Sequence, residues 1–176
     1  MDSVKRKRFL MVIIGAIALW ATCMGCGEKG FSEYNKALEY QASGKLDLAE
    51  QEYKIALQKN PGLAEAHMNV GVIYLERGWL DGAEESTKKA IDIFEKTQKT
   101  WIKGSSWQQS LAVAYNNLGM VEINRAGQAE RESIKDNAKS HWKVAMSCFE
   151  KAVELDSSNS QANANVVKFQ NAYKEE

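Results

Sequence analysis

The chain has 176 residues, 44% of them hydrophobic, a single Pro, and Lys+Arg balanced against Asp+Glu at 23 each. That is room for one domain and a targeting segment, in a composition suited to helices. Without its first 25 residues it loses Lys5, Arg6, Lys7, Arg8 and Asp2, leaving 19 bases against 22 acids, the wrong sign for nucleic-acid binding.

Residues 5–8 are all basic and residues 9–21 are an apolar run of 13. At about 1.5 Å per residue that run is too short for a hydrocarbon core of roughly 30 Å, so residues 1–25 read as an export leader. Cys23-Met24-Gly25-Cys26-Gly27 resembles a bacterial lipoprotein cleavage box, with Cys26 the acylated residue. Cys23 and Met24 depart from the usual Leu and small residue, and an ordinary cleaved leader or an uncleaved anchor are the alternatives. Gly27 replaces the Asp that in that family goes with inner-membrane retention. The resemblance therefore implies an outer-membrane lipoprotein facing the periplasm, with an inner-membrane or periplasmic location as alternatives. Residues 26–30 are then a short tether, in which four residues reach about 14 Å. Cys23 and Cys26 have C-x-x-C spacing, but no strand or catalytic helix surrounds them, so a redox motif is a poor reading.

From Phe31 onward the sequence repeats itself. Gly44, Leu46, Asp47, Ala49 and Glu50 return 34 residues later as Gly78, Leu80, Asp81, Ala83 and Glu84. Asn35, Ala37, Tyr40 and Ala56 return as Asn69, Gly71, Tyr74 and Ala90. The small residues let paired helices approach, Gly44 and Gly78 end one helix, and Asp47 and Asp81 are expected to cap the next. Self-similarity at this period marks a helical-repeat array. These residues, with Tyr53 and Pro61, resemble the tetratricopeptide repeat family. The resemblance implies an all-α, helical-hairpin solenoid over residues 31–175, with about three repeats, the third lengthened, and a C-terminal capping helix.

The third unit runs through Tyr115, Asn117, Gly119, Ala145, Phe149 and Ala152, with 14 extra residues in each helix-to-helix step. Fourteen residues are about two turns on each of two antiparallel neighbours. The spacing predicts a helix from Asp81 to about Lys103, a turn at Gly104, and a new helix from about Ser106. It also favours a helix running through Gly127 and turning at Asp136-Asn137, over a turn at Gly127 itself. The charges from Arg125 to Lys139 read as a solvated face. Residues 155–159 stand where the first unit has Lys59-Asn60-Pro61, and residues 160–173 form the capping helix.

In the tetratricopeptide resemblance Asn35, Asn69, Asn117 and Asn165 look into the concave groove, where amides bind an extended peptide backbone. The same asparagines equally read as consensus residues that stabilise the fold. Met68, Val72 and Leu75, with Met120 and Ile123, would give the groove an apolar floor. Family members that clamp a peptide's C-terminal carboxylate use Lys and Arg where this chain has Val113 and Asn117, so that activity is not expected. His67 and His141 stand alone, and no metal site, cofactor or catalytic constellation is expected. Trp101 and Trp107 flank the first long turn, where packing is preferred over contact with a bilayer or a partner. Cys148 reads as a buried small hydrophobe. Function is expected to be that of a membrane-anchored adaptor for proteins or extended peptides in the cell envelope. The alternative is a non-catalytic subunit docking through its elongated helices.

Overall fold

The computed structural model describes residues 29–174, with side chains as far as residue 170. The leader, Cys23 and Cys26 lie outside the described residues. Within them the chain is all α: α1 (Phe31–Ala42), α2 (Leu46–Lys59), α3 (Ala64–Glu76), α4 (Leu80–Thr97), α5 (Trp107–Arg131), α6 (Lys135–Leu155) and α7 (Ser160–Lys174). Helices pair as α1/α2, α3/α4 and α5/α6, and α7 closes the stack against α5 and α6. None of the described helices is long and apolar enough to cross a membrane.

One register runs through all three hairpins. Ala49, Ala83 and Ala145 are fully buried, as are Ala56, Ala90 and Ala152. Between them the same place holds Tyr53, Thr87 and Phe149, each at 0% or 1% exposure. Opposite sits the small residue of the partner helix. A Cβ on Gly71 would stand 2.5 Å from Thr87 Oγ1, and one on Gly119 would stand 2.5 Å from the Phe149 ring. Helices this close exclude water and interdigitate, which is how a short hairpin gains a core.

The turns repeat as well. Gly44 and Gly78 are left-handed, with φ of 71° and 72°. Lys45 and Trp79 donate back to the Tyr40 and Tyr74 carbonyls at 2.9 and 2.8 Å. The third turn has the same form but sets Ser133 at φ 62°, with Ile134 donating to the Ala129 carbonyl at 2.8 Å. The long α5 does run through Gly127, and the chain turns at 132–134, slightly before Asp136-Asn137. Asp156 adopts φ −147° and ψ 93°, close to the −141° and 87° of Asn60, so the Pro-less turn matches the first unit's.

Two expectations are corrected. Asp47 and Asp81 are not caps: the N-cap residues are Lys45 and Trp79, without a side-chain cap bond. The Schellman-type turn delivers the chain straight into the next helix, leaving the aspartates inside its first turn. The capping box belongs instead to Ser106 and Gln109, ahead of α5. Nor does α4 reach Lys103. It stops at Thr97, where Gln98 turns left-handed at φ 50°, and residues 98–106 form an arm outside the hairpins.

The aspartates join adjacent hairpins. Arg77, just past α3, bonds Asp47 and Glu50 of the preceding hairpin. Arg125 of α5 does the same with Asp81 and Glu84, both at 2.6 Å. Arg125 is thus part of a clasp and not of a solvated face. The matching places on α6 are Lys143 and Met146, so the carboxylate pair is not repeated there.

Candidate functional site

α1, α3 and the arm line an open hollow of about 770 Å³, within the range of ligand-sized clefts. α1 contributes Phe31, Tyr34, Asn35 and Leu38, and α3 contributes Met68 and Asn69. Trp101, Ile102 and Lys103 of the arm complete the wall. Apolar groups dominate it, and Lys103 is its one charged side chain.

The arm is pinned by a buried carboxylate. Glu65 is 0% exposed in the first turn of α3, where the helix N-terminus favours negative charge. Its Oε1 accepts from the Trp101 backbone N–H at 2.6 Å and from the Thr100 hydroxyl at 2.8 Å. Thr100 also lies 2.8 Å from Ser110 Oγ on α5. Glu65 Oε2 is buried without a hydrogen-bond partner. Above this anchor Trp101 meets Phe31 edge-on, with ring centroids 4.9 Å apart. Trp101 therefore packs on α1 rather than on Trp107.

Behind the hollow lies a polar web. Asn69 Nδ2 donates to the Tyr53 hydroxyl at 3.0 Å, and that hydroxyl donates to Gln41 at 2.6 Å. Burial, and then the negative charge of Glu65, push the Tyr34 hydroxyl up to about 12. Burial also raises Tyr53. Both phenols therefore stay protonated and can donate throughout the physiological range.

The asparagine series divides. Asn35 is exposed in the hollow's wall, while Asn69 is half-buried and engaged with Tyr53. Asn165 donates to the buried Asn116 Oδ1 at 2.8 Å and lies 3.7 Å from Met120 Sδ, joining α7 to α5. Met120 and Ile123 pack against the cluster of Phe149 and Phe169. Asn117 and Val72 are half-buried outside the hollow. The structure thus gathers Asn35, Met68 and Asn69, and leaves Val72, Asn117, Met120 and Asn165 elsewhere. Sequence reasoning missed Glu65 and the arm's part in the wall; a Glu in a first turn is too common a signal to single out.

The remaining polar candidates have partners. His67 Nε2 donates to the Pro61 carbonyl at 3.1 Å, and burial lowers its pKa. His141 Nδ1 is 2.7 Å from Glu122. Cys148 is buried, and burial pushes its thiol up to about 11, away from thiolate chemistry.

Residues 64–97, the α3/α4 hairpin, match the tetratricopeptide repeat family model. Among curated proteins the chain is similar to Photosystem I assembly protein Ycf3 of Prochlorococcus marinus, strains MIT 9301 and MIT 9215. Each is 28% identical over 95 residues, covering 44% of this chain and 55% of the relative. The chain spans about half the length of the curated relatives it matches. Among solved structures it is similar to the first TPR of Spaghetti (RPAP3) bound to HSP90 peptide SRMEEVD, with TM-score 0.61 and 19% identity over 82% of this chain and 93% of that one. The second TPR domain of the human RPAP3 protein in complex with HSP70 peptide SGPTIEEVD gives 0.61 and 18%, over 83% and 98%. The N-terminal domain of stress-induced protein-1 (STI-1) from C. elegans gives 0.58 and 12%, over 83% and 98%. The fold is a tetratricopeptide-like solenoid.

Proposed function

We propose that the protein is a membrane-anchored adaptor of the cell envelope that holds a partner's extended segment in the hollow between α1, α3 and the arm. The observation that carries this reading is the hollow itself: apolar walls, an exposed amide at Asn35, and a preformed arm on one side. A pre-ordered wall lowers the entropic cost of binding. Both RPAP3 structures contain a peptide ending in EEVD. Here Val113 is exposed on α5 and the hollow's one charge is Lys103, so the segment that fits is apolar or uncharged rather than an acidic tail. The anchor is acylated Cys26, and an outer-membrane position facing the periplasm follows from Gly27. The assembly role named for the curated relatives belongs to the same class of activity.

A second reading has one observation in its favour. The tip of the α5/α6 hairpin exposes Ile134 beside a cleft lined by Glu130, Lys135, Asp136 and Lys139, which suits a subunit docking through its long helices. In-cell photo-crosslinking separates the two, with the probe at Leu38 or at Lys139. A discrete partner captured from Leu38 and lost when Asn35→Asp is added supports the groove. Capture from Lys139 alone overturns it in favour of the hairpin tip.

A further inference from the structure

The arm that walls the hollow is also exposed to solvent. Trp101 and Ile102 are 46% and 39% exposed, although both are large and apolar. Lys99 and Lys103 bracket them, are exposed, and enter none of the ion pairs among the described residues. Trp101 packs on Phe31, and Lys29, also exposed, stands two residues before it. Two exposed apolar side chains are therefore flanked along the arm by two lysines unpaired among the described residues, with Lys29 two residues from the Phe31 that Trp101 packs on.

A bilayer with anionic lipids complements such a surface in both respects. Its headgroup phosphates pair with lysines, and the zone beneath them is where indole rings concentrate. Lysine stems reach outward while neighbouring apolar groups go deeper. Glu65 already holds the arm in place, so little ordering is needed on contact.

We propose that residues 98–106 dock on an anionic membrane surface. Trp101 and Ile102 enter the interface, Lys29, Lys99 and Lys103 meet phosphates, and the mouth of the hollow is held at the membrane. The proposal rests on the membrane-anchored reading above, and it adds a second attachment that orients the solenoid.

The test uses the full chain reconstituted with vesicles of phosphatidylethanolamine and phosphatidylglycerol. An encoded environment-sensitive fluorophore replaces Ile102, and in a second protein replaces Val144, which is exposed on α6. The expected result is flotation of both proteins, with a blue shift and quenching by brominated lipid at 102 alone. At high salt, or in Lys99→Glu/Lys103→Glu, that quenching should fall by about half or more. Flotation with position 102 behaving like 144 overturns arm docking and leaves the anchor standing. A chain that does not float overturns both. A blue shift at 102 that needs added peptide rather than lipid assigns the arm to a protein partner and overturns the proposal.

Discussion

In the first hairpin the core position opposite the small residue is Tyr53, whose hydroxyl is tied to Gln41 and Asn69. In the third it is Phe149, which lacks a hydroxyl and stacks on Phe169 at 5.7 Å. The first hairpin is joined to the second by Arg77 on two carboxylates. The third meets α7 through rings and one amide pair. One backbone register thus supports two kinds of junction. The Tyr53–Asn69 bond lies beside the hollow, and the ring stack lies at the closed end. A stack needs its terminal face sealed against water, whereas a binding face has to present hydrogen-bonding groups.

The largest expected effect tests the apolar end. Phe149→Ala should cost about 3–5 kcal/mol in urea unfolding, from a fully buried ring removed without collapse of its site. Tyr53→Phe, which keeps the ring, should cost about 1 kcal/mol. Equal costs would mean that the third hairpin is not sealed by its aromatic core. Next comes Asn165→Ala, which strands the buried Asn116 oxygen at a cost of about 1–2 kcal/mol. Unchanged stability would show that the α7 seal is purely apolar.

Ser133→Gly should raise stability by about 1 kcal/mol, because a left-handed serine is replaced by the residue that the other two turns use. No gain would show that the third turn is strained elsewhere. The smallest effect is in acid. Burial alone would raise the Glu50 carboxyl, but bonds from Lys54, Arg77 and Tyr74 outweigh it and hold the group below its ordinary value. Its contribution is therefore complete above the usual carboxylate range and is lost as pH falls through that lowered value. Arg77→Ala should move the acid-unfolding midpoint to higher pH, and by more than Arg125→Ala. Arg125's partners are more open, with Asp81 at 97% and Glu84 at 25% exposure. The reverse order in acid titrations followed by circular dichroism would break the comparison.

Much of this architecture is legible in the sequence because small residues and glycines recur at a fixed spacing. The lengthened third hairpin, the helix through Gly127 and the capping helix all follow from counting. The clasps do not, because Asp-x-x-Glu after a Gly turn is also the pattern of a capping box. Which role it serves depends on Arg77 and Arg125, 30 and 44 residues away. The arm was hidden for the same reason. α4 ends at a Gln in left-handed geometry with no glycine to announce it, and the segment is then held by Glu65, 35 and 36 residues back. Of the hollow, Asn35, Met68 and Asn69 could be named from their repeat position, whereas the arm's wall needed the long-range fold.

Gly30 is buried at φ 87°, and a Cβ there would stand 2.6 Å from the Ala56 carbonyl of α2. Its own carbonyl accepts the Tyr34 N–H at 2.9 Å. Gly30 is therefore held without slack against the first hairpin. Viewed mechanically, a pull arriving along the backbone at Lys29 is not absorbed by a loose segment within the fold. It falls at once on the contact between α1 and α2, the hairpin that forms one wall of the hollow. A displacement at Gly30 and the shape of that wall are thereby linked.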